Sequence, residues 1–362
     1  MSTSPLWELE PHTVGKHLIL KAYLDAWLPI LGMTQGRILF IDGFSGPGKY
    51  IGGEPGSPLI ALQSFRNHTA NTRIGEVLFY FIDDNPSRVK HLKALIPKAV
   101  PNLPPNCKYE IIQGKFDQEM SSALDELEKQ KTSMAPAFVM IDPFGVSGTP
   151  MDVISRILSV PKCEVYISFM YSSINRFRQT PEFESHLDKL FGCRDWRDGN
   201  NLPSEERKDS FYSLYKQQLK YAGAKQVIYF ELYKGNRLIY AIFFATQSLK
   251  GCDEMKKAIW KIIPEGNYKF KGSNAEAGQL SFELQHNFQP LQDLLVSTYR
   301  LKGWVSVDEI ESFLKTDQTI YHSGHLKSYA LKPMELNGLL EIKESTRRRK
   351  RTYPTGTMLR FI

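Results

Sequence analysis

Between residues 37 and 170 the sequence alternates strand-like and helical segments, and this alternation restricts the possible fold more than any other feature of the chain. The strand-like segments are the apolar runs RILFID, EVLFYFID, CKYEIIQG, AFVMID and CEVYISFM. Short apolar runs are typical of strands buried on both faces, and their alternation with helices is typical of parallel sheets covered by helices. The pattern predicts an α/β protein with a doubly wound, Rossmann-like sheet.

Two later segments extend this prediction. The run KQVIYFELYKGNRLIYAIFFATQ contains two strand-like stretches around Lys234-Gly235-Asn236, which indicates a hairpin at an antiparallel edge of the sheet. Beyond the polar, glycine-rich stretch at 264–279, apolar spacing predicts helices near 290–302, 306–316 and 323–337, followed by two short strands. Three short helices followed by two short strands are typical of a winged helix-turn-helix. We therefore expect one domain over 1–280 and a second over 281–362.

The positive charge of the chain is concentrated at its end. The net charge is +7, and residues 285–362 carry twelve Lys or Arg against eight Asp or Glu. A basic terminal domain is typical of proteins that bind nucleic acid or another polyanion. We expect phosphate contacts from the basic run in the predicted wing, which consists of Arg347, Arg348, Arg349, Lys350 and Arg351. A solvated charge run without a ligand is the alternative.

The remaining composition excludes several classes of protein. No apolar run approaches the roughly 18 residues that span a membrane, and the N-terminus lacks the pattern of a secretory signal. We expect a cytoplasmic protein without a membrane partner. The cysteines lack the close spacing of a zinc site or disulfide framework, so we expect reduced structural thiols at Cys107, Cys163, Cys193 and Cys252.

Acids and glycines follow the predicted strands where a doubly wound sheet binds its ligands. The first strand runs into Asp42 and the loop GFSGPG, whose glycines permit a sharp turn or close approach by a ligand. The loop has neither the Walker lysine–hydroxyl pair nor the dinucleotide spacing. A carboxylate there suits an amine-bearing ligand better than a pyrophosphate, and S-adenosylmethionine carries an ammonium, a sulfonium and a ribose. A glycine-rich turn without a ligand is the alternative.

Two further acidic motifs end the second and fourth strands. Asp83-Asp84 can accept the ribose hydroxyls of a nucleoside, although a helix-capping role for DDNP is the alternative. Asp142-Pro143-Phe144-Gly145 is a rigid corner that can hold an exocyclic amine and stack a base. For that motif the alternative is a strand-to-helix turn with a buried Phe.

Together these segments resemble a known family. Lys16-His17, FIDGFSGPGKY, EPGSPLIAL, FIDDNPS and FVMIDPFG occur in the order found in class I methyltransferases. They resemble most the RlmJ-type ribosomal RNA adenine-N6 methyltransferases. The overall layout, with LIYAIFFATQ and RTYPTGTMLRFI, looks closer still to the three-Cys-motif partner (TcmP) family, and the similarity covers nearly the whole chain. The three cysteines of that family name belong to the partner protein.

The resemblance implies a class I methyltransferase fold with S-adenosylmethionine as cofactor. It implies that Lys16, His17 and Ser57 line the methionine end. It implies that the loop beneath the cofactor consists of Asp42, Gly43, Ser45, Gly46 and Gly48. It also implies that Asp83 binds the ribose. The acid of the third strand corresponds to Asp117 after a shift of a few positions.

The resemblance further implies that Asp142 and Pro143 hold the target nitrogen and that Phe144 stacks nearby. The adenine methyltransferases have Asp-Pro-Pro-aromatic, whereas here Phe144 follows Pro143 directly. They also insert a long segment between the glycine loop and GSP, where this chain has only a few residues.

Three functions therefore stay open. The favoured one is S-adenosylmethionine-dependent N-methylation of nucleic acid, RNA or DNA, together with a three-Cys-motif protein. The second is a non-catalytic adaptor that binds the cofactor or nucleic acid and presents substrate to its partner. The third is a winged-helix regulator that binds DNA.

Overall fold

The computed structural model of the protein describes residues 5–271 and 287–362, and these residues form two compact units. The first unit contains residues 5–248 and 269–271, and the second contains 249–268 and 287–362. The expected domain boundary at 280 and 281 lies outside the described residues. The units differ from the expected domains in one element, because residues 249–268 group with the second unit.

The first unit is built on an eight-stranded sheet. Its strands are β1 (Arg37–Asp42), β2 (Glu76–Asp83), β3 (Cys107–Gln113), β4 (Ala137–Ile141), β5 (Glu164–Phe169), β6 (Gln226–Lys234), β7 (Arg237–Thr246) and β8 (Lys269–Phe270). Their order is β3-β2-β1-β4-β5-β7-β6-β8. Strands β1 to β5 pair in parallel, whereas β7 is antiparallel to both β5 and β6. The predicted mostly parallel sheet with an antiparallel edge is confirmed.

Helices cover both faces of this sheet. They are α1 (Pro11–Gly32), α2 (Ser57–Asn67), α3 (Pro86–Ala99), α4 (Phe116–Lys129), α5 (Met151–Ser159), α6 (Tyr171–Phe177), α7 (Pro181–Phe191) and α8 (Ser204–Tyr221). One face packs Leu39 and Ile41 of β1 into a core with α4, α5, α7 and α8. On the other face the rings of Trp27 and Phe65, from α1 and α2, contact Phe138 and Phe79. The sheet is therefore doubly wound, as the alternation of segments predicts.

The strand order has one functional consequence. Starting from β1 in the middle of the sheet, the chain adds β2 and then β3 toward one edge. It then returns to the middle and adds β4 and β5 on the other side of β1. Neighbouring strands β1 and β4 mark the point where the direction of progression reverses. Connections leave the two strands toward opposite faces there, which opens a crevice at their carboxyl ends where ligands of open α/β sheets bind.

The second unit combines helices with a small antiparallel sheet. The helices are α9 (Leu249–Ile262), α10 (Gln289–Tyr299), α11 (Val307–Leu314), α12 (Ser323–His325) and α13 (Lys332–Leu336), and the strands are β9 (Val305–Ser306), β10 (Leu340–Ile342) and β11 (Met358–Phe361). A π-helical segment, Leu326–Leu331, joins α12 to α13. The strand order is β10-β11-β9. These elements agree with the helices and terminal strands predicted from the apolar spacing.

Helix α9 belongs to this unit because its buried side chains find their partners there. The ring of Trp260 stacks on Phe288 and Tyr321, with centroids 5.9 and 5.7 Å apart. The fully buried ammonium of Lys256 donates hydrogen bonds to the backbone carbonyls of Leu314, Thr316 and Thr319. Sequence reasoning missed this assignment since the apolar pattern of a helix does not reveal which neighbour covers it.

Two findings concern membranes and thiols. None of the described helices has the length and apolar character needed to cross a membrane. Cys107, Cys163 and Cys252 are buried, and Cys193 is partly buried.

Candidate functional site

The glycine loop that follows β1 is shaped by its own packing. Gly46 and Gly48 have φ of 62° and 85°, in the left-handed region that favours glycine. A Cβ on Gly43 would approach the ring of Phe116 to 2.3 Å, so the loop lies directly against the start of α4. The N–H of Gly46 donates to Asp83 Oδ2 over 2.9 Å, which ties the loop to the end of β2. The glycines thus serve a turn and a tight contact between strand ends.

Asp42 lies beneath this loop with none of its surface exposed. Its Oδ1 accepts a hydrogen bond from the N–H of Phe44 over 3.2 Å. Burial raises the pKa of Asp42 to about 7, and a hydrogen bond from Ser57 opposes the rise. Asp42 therefore holds the start of the loop through the N–H of Phe44, and its Oδ2 is buried without a hydrogen-bond partner among the described residues.

A cavity of about 200 Å³ opens beside the loop at the ends of β1 and β4. The sequence-predicted residues that line it are Lys16, His17, Ser45, Gly46, Gly48, Ser57, Asp142, Pro143 and Phe144. The structure therefore brings the leading helix, the glycine loop and the DPFG corner to one place. Sequence reasoning missed other lining residues, among them Trp7, His12, Tyr50 and Tyr240.

Lys16 and Asp142 form an ion pair in this cavity, although they are 126 positions apart in the chain. The Lys16 side chain is 5% exposed and that of Asp142 is 26% exposed, so the carboxylate is the more accessible partner. Ser168 donates to the other carboxylate oxygen. Burial alone would lower the pKa of Lys16 and raise that of Asp142, but their mutual attraction outweighs burial and shifts both pKa values the opposite way. Both groups are ionised as a pair.

Two imidazoles adjoin this pair. Burial, followed by the charge of Lys16, lowers the pKa of His17 to about 3, so His17 is neutral at physiological pH. Burial also lowers the pKa of His12. His12 Nδ1 is buried and has no hydrogen-bond partner among the described residues. His12 therefore lines the cavity that contains Asp142, and its Nδ1 makes no hydrogen bond with the described residues.

A larger cavity of about 1200 Å³ adjoins the first, and Phe44 and Phe144 line both. Its predicted lining residues are Gly43, Asp83, Asp84, Asp117, Phe144 and Gly145. Asp117 Oδ1 is buried without a partner among the described residues. Asp42, expected to face the cofactor, is fully buried and lines neither cavity. The other expected cofactor residues divide between the two adjoining cavities, with the acids of β2 and α4 in the larger one and Lys16 and Ser57 in the smaller.

Asp83 links several parts of the larger cavity. Besides the contact with Gly46, its Oδ1 accepts from the N–H of Asn85 over 2.9 Å. Asn85, and not an aspartate, caps α3 by accepting from the N–H groups of Ser87 and Arg88. Burial raises the pKa of Asp83, against these hydrogen bonds and the charge of Arg88, 3.7 Å away. The capping alternative for DDNP therefore applies to Asn85 and leaves Asp83 facing the cavity.

Phe144 is 65% exposed, which rules out the alternative of a buried core ring. It packs edge-on against Trp7, with centroids 5.5 Å apart. The guanidinium of Arg88 lies 5.1 Å from the centroid of each ring. The two aromatic rings and Arg88 form a group where the two cavities meet, in which Phe144 is exposed and Trp7 and Arg88 are partly buried. A flat aromatic ligand can stack on the exposed ring.

The basic run of the second unit differs from expectation at one position. Arg347 is buried and donates to the carboxylates of Glu335, over 2.7 and 3.0 Å, and of Glu344. It is therefore unavailable for the phosphate contact expected of it, because two carboxylates already occupy its planar donor face. The other four cations, Arg348, Arg349, Lys350 and Arg351, are exposed. None of these four has a carboxylate within 4.0 Å in the described chain.

A groove of about 1080 Å³ lies between these exposed cations and the helix that contains the π-helical segment. The groove is lined by Arg348, Arg349 and Arg351 of the basic run and by Lys327 and Lys332. The sequence predicted the helix that contains these two lysines. It did not predict that they lie near the basic run, because that proximity depends on how the chain folds back through β10 and β11.

No family model matches the sequence, and no curated protein matches it. Among solved structures, Trm1 from Pyrococcus horikoshii with S-adenosyl-L-methionine is 12% identical, with a TM-score of 0.38 over 72% of this chain and 61% of Trm1. An O-methyltransferase from Bacillus cereus in complex with SAH is 14% identical, with a TM-score of 0.33 over 63% of this chain and 80% of that one.

The METTL16 methyltransferase domain is 12% identical, with a TM-score of 0.32 over 63% of this chain and 66% of that one. This chain spans less than two thirds of the Trm1 chain. Similarities this low carry no argument about substrate or mechanism, which have to be inferred from the residues of the site itself.

Proposed function

We propose that the first unit is a class I, S-adenosylmethionine-dependent methyltransferase that modifies a nitrogen of nucleic acid. The observation that carries this proposal is the meeting of two cavities at the carboxyl ends of β1, β2 and β4. One cavity is lined by Asp83 and Asp117, and the other by the Lys16–Asp142 pair. The reversal of strand progression between β1 and β4 is the expected ligand site of an open α/β sheet.

The residues present fit this cofactor. Ser45 Oγ, in the glycine loop, and Asp117 Oδ1 are buried without partners among the described residues, and both occur in cavity-forming segments. A nucleoside offers hydroxyl and amino donors to such acceptors, and Asp83 adds a carboxylate. The ammonium of Lys16 and the hydroxyl of Ser57 are suited to the amino-acid end. When bound, S-adenosylmethionine supplies an electrophilic methyl group.

The residues of the chain would then act mainly by positioning, since correct placement of the reacting atoms supplies much of an enzyme's acceleration. The carboxylate of Asp142, held ionised by Lys16, can accept a hydrogen bond from a substrate amine at its exposed edge. Phe144 can stack an unpaired base beside it. His12 has the unused nitrogen needed to receive a proton from the substrate.

The second unit would supply general affinity. We interpret its helices and three-stranded sheet as a winged helix-turn-helix whose groove binds the phosphate backbone through Lys327, Lys332 and the exposed cations of the basic run. Such contacts are independent of sequence. RNA is the first substrate to test, following the resemblance to ribosomal RNA methyltransferases, and a three-Cys-motif protein is the proposed partner.

The first experiment tests the cofactor. Calorimetric titration of the protein with S-adenosylmethionine and its demethylated product should release heat, and a ligand at 100 times its dissociation constant should stabilise the native state by about 2.7 kcal/mol. Asp83→Asn should weaken binding, whereas Asp84→Asn at the exposed neighbouring position should change it little. Absence of heat and of a shift in melting temperature would contradict the proposal.

The second experiment distinguishes the enzyme from the adaptor. The adaptor is favoured by one observation, namely that both Asp142 oxygens already accept hydrogen bonds. Labelled cofactor should be incubated with total cellular RNA and DNA, with and without the partner protein. Asp142→Asn should reduce transfer roughly ten- to 150-fold, since hydrogen bonds to charged groups contribute about 1.5 to 3 kcal/mol. Binding of nucleic acid without any transfer of label would establish the adaptor.

A further inference from the structure

A second group of cations lies in the first unit, close in sequence to the smaller cavity. Met170 lines that cavity and is followed directly by α6. Arg178 is the residue that caps the end of α6, and Arg207 lies in the first turns of α8. Both arginines are partly buried, unlike the exposed cations of the basic run.

The two guanidinium groups are held next to each other by one residue. Arg178 Nη1 donates to the backbone carbonyl of Asn175, and Arg207 Nη1 donates to the side-chain oxygen of the same Asn175 over 2.9 Å. Arg207 Nη2 also donates to the carbonyl of Leu202 over 2.6 Å. Each guanidinium is therefore oriented by neutral oxygens, which do not compensate its charge within the described part of the chain.

The charges of the two arginines are not neutralised by an acid of the described chain. No carboxylate of the described residues lies within 4.0 Å of Arg178 or Arg207. The nearby Lys208, by contrast, is paired with Glu231 over 3.0 Å. Burial and then the charge of nearby Arg207 lower the pKa of Arg178, as expected for a cation close to another cation. Two fixed cations side by side without an acid are unfavourable unless an anion lies between them.

The arginine N–H groups that donate no hydrogen bond within the described chain indicate which kind of anion would bind. The Nε–H groups of both arginines are buried and lack acceptors among the described residues. The planar donor fork of arginine matches the oxygens of a phosphate, which can accept two parallel hydrogen bonds from each fork. Tyr171, whose hydroxyl donates to the Ser204 carbonyl over 3.4 Å, adds an aromatic ring next to both arginines.

We propose that Arg178 and Arg207 bind a phosphate of the nucleic-acid backbone and thereby place the substrate strand beside the cavity that contains Asp142. The proposal rests on the proposed function for the identity of the substrate, but the anion site itself does not. The site shares no residue with the groove of the second unit and would act on the nucleotides next to the modified base.

The test measures how binding of RNA depends on salt. A fluorescein-labelled single-stranded RNA of about 20 nucleotides and mixed sequence is titrated by anisotropy at several salt concentrations. The starting protein carries Arg348, Arg349, Lys350 and Arg351 replaced by Gln, which reduces the contribution of the second unit. Adding Arg178→Gln and Arg207→Gln should lower the log–log salt slope by about 0.7 for each phosphate that the protein no longer neutralises.

Arg176→Gln is the matched control, because Arg176 is an exposed arginine on the same helix. It should leave the slope unchanged. An unchanged slope in the Arg178/Arg207 variant, or an equal decrease with Arg176→Gln, would overturn the proposal. If inorganic phosphate protects the wild type from thermal unfolding but the RNA slope does not change, the site binds a free anion and the assignment to nucleic acid is wrong.

Two further measurements keep the test decisive. If the glutamine variant does not fold, Arg178→Lys with Arg207→Lys in the same starting protein keeps both charges but removes the planar forks. This variant should bind RNA more weakly than the starting protein, and equal affinity would overturn the proposal. Cofactor titration on the same preparations separates the two claims. A wild type that does not bind S-adenosylmethionine but shows the change in slope would defeat the methyltransferase and retain the phosphate site.

Discussion

The charges at the strand ends and the charges of the basic run follow opposite rules. In the first unit, Lys16 is buried against Asp142, and each group depends on the other to remain ionised. In the second unit, four of five consecutive cations are exposed and unpaired with carboxylates in the described chain, while Arg347 alone is buried and paired. The comparison teaches that burial, and not charge density in the sequence, decides whether a charge contributes to stability or is available to a ligand.

The largest effect on stability is expected at the buried pair. Lys16→Met leaves the Asp142 carboxylate, which is only 26% exposed, without its counter-ion, and this should lower the unfolding free energy by about 3 to 5 kcal/mol. Lys21→Met, which removes an exposed pair with Asp25 on the same helix, should cost only about 0.3 to 0.5 kcal/mol. Chemical denaturation measures both variants.

The double variant Lys16→Met with Asp142→Asn sharpens this result. It removes both charges, so it should recover much of the stability lost in Lys16→Met. A double variant as unstable as the sum of its single variants would show that packing, and not the ion pair, is responsible.

The next effect concerns pH. Because folding raises the pKa of Asp42 to about 7, the native state retains a proton that the unfolded state releases. Stability from this residue is fully present below about pH 3.8, is lost progressively as the pH rises from there to about 7, and changes no further above that pH. Asp42→Asn should therefore gain stability relative to wild type between acidic and mildly alkaline pH, by at most about 4 kcal/mol at about 1.36 kcal/mol per pKa unit.

Comparing Asp42→Asn with wild type isolates the effect of Asp42, because the other titrating groups are the same in both proteins. His17, with its pKa lowered to about 3, contributes the opposite slope, but it does so equally in wild type and variant. Denaturation at a series of pH values tests the prediction, and a difference in stability that stays constant with pH would contradict it.

A smaller effect is expected at Arg347, the paired member of the basic run. Arg347→Gln breaks its hydrogen bonds with Glu335 and Glu344 and should lower the unfolding free energy by about 1.5 to 3 kcal/mol. Arg349→Gln, two positions away and exposed, should change it by less than about 0.5 kcal/mol. Equal thermal stability of the two variants would contradict the structural role of Arg347.

The smallest effect on stability is expected from the exposed cations. Replacing Arg348, Arg349, Lys350 and Arg351 by Gln should leave the unfolding free energy within about 0.5 kcal/mol for each position. The same variant should weaken binding to all nucleic-acid sequences alike and flatten the salt dependence, by about 0.7 to 0.9 of log–log slope for each phosphate that these cations bind. Loss of discrimination between sequences with an unchanged slope would show instead that these residues read bases.

Much of the fold of the first unit can be predicted because short stretches of sequence specify its strands and turns. The apolar runs specify β1 to β5, the turn at Lys234-Gly235-Asn236 specifies the β6–β7 hairpin, and parallel strands bring their following residues to one edge. Asp83 and Asp142 could therefore be placed near each other from the sequence. Their individual contacts could not, because Asp83 binds the glycine loop and Asp142 binds Lys16 through side chains distant in the chain.

By itself, the sequence determined the alternation of elements, the acids at the strand ends and the presence of a basic run. All of these depend on neighbours within a few positions, which share a strand, a turn or a helix face. Only the tertiary structure decided which charges are buried, which are paired and which are free. Lys16 meets Asp142, Arg178 meets Arg207, and Arg347 leaves the basic run to join Glu335, because side chains far apart in the chain become neighbours only after packing excludes water between them.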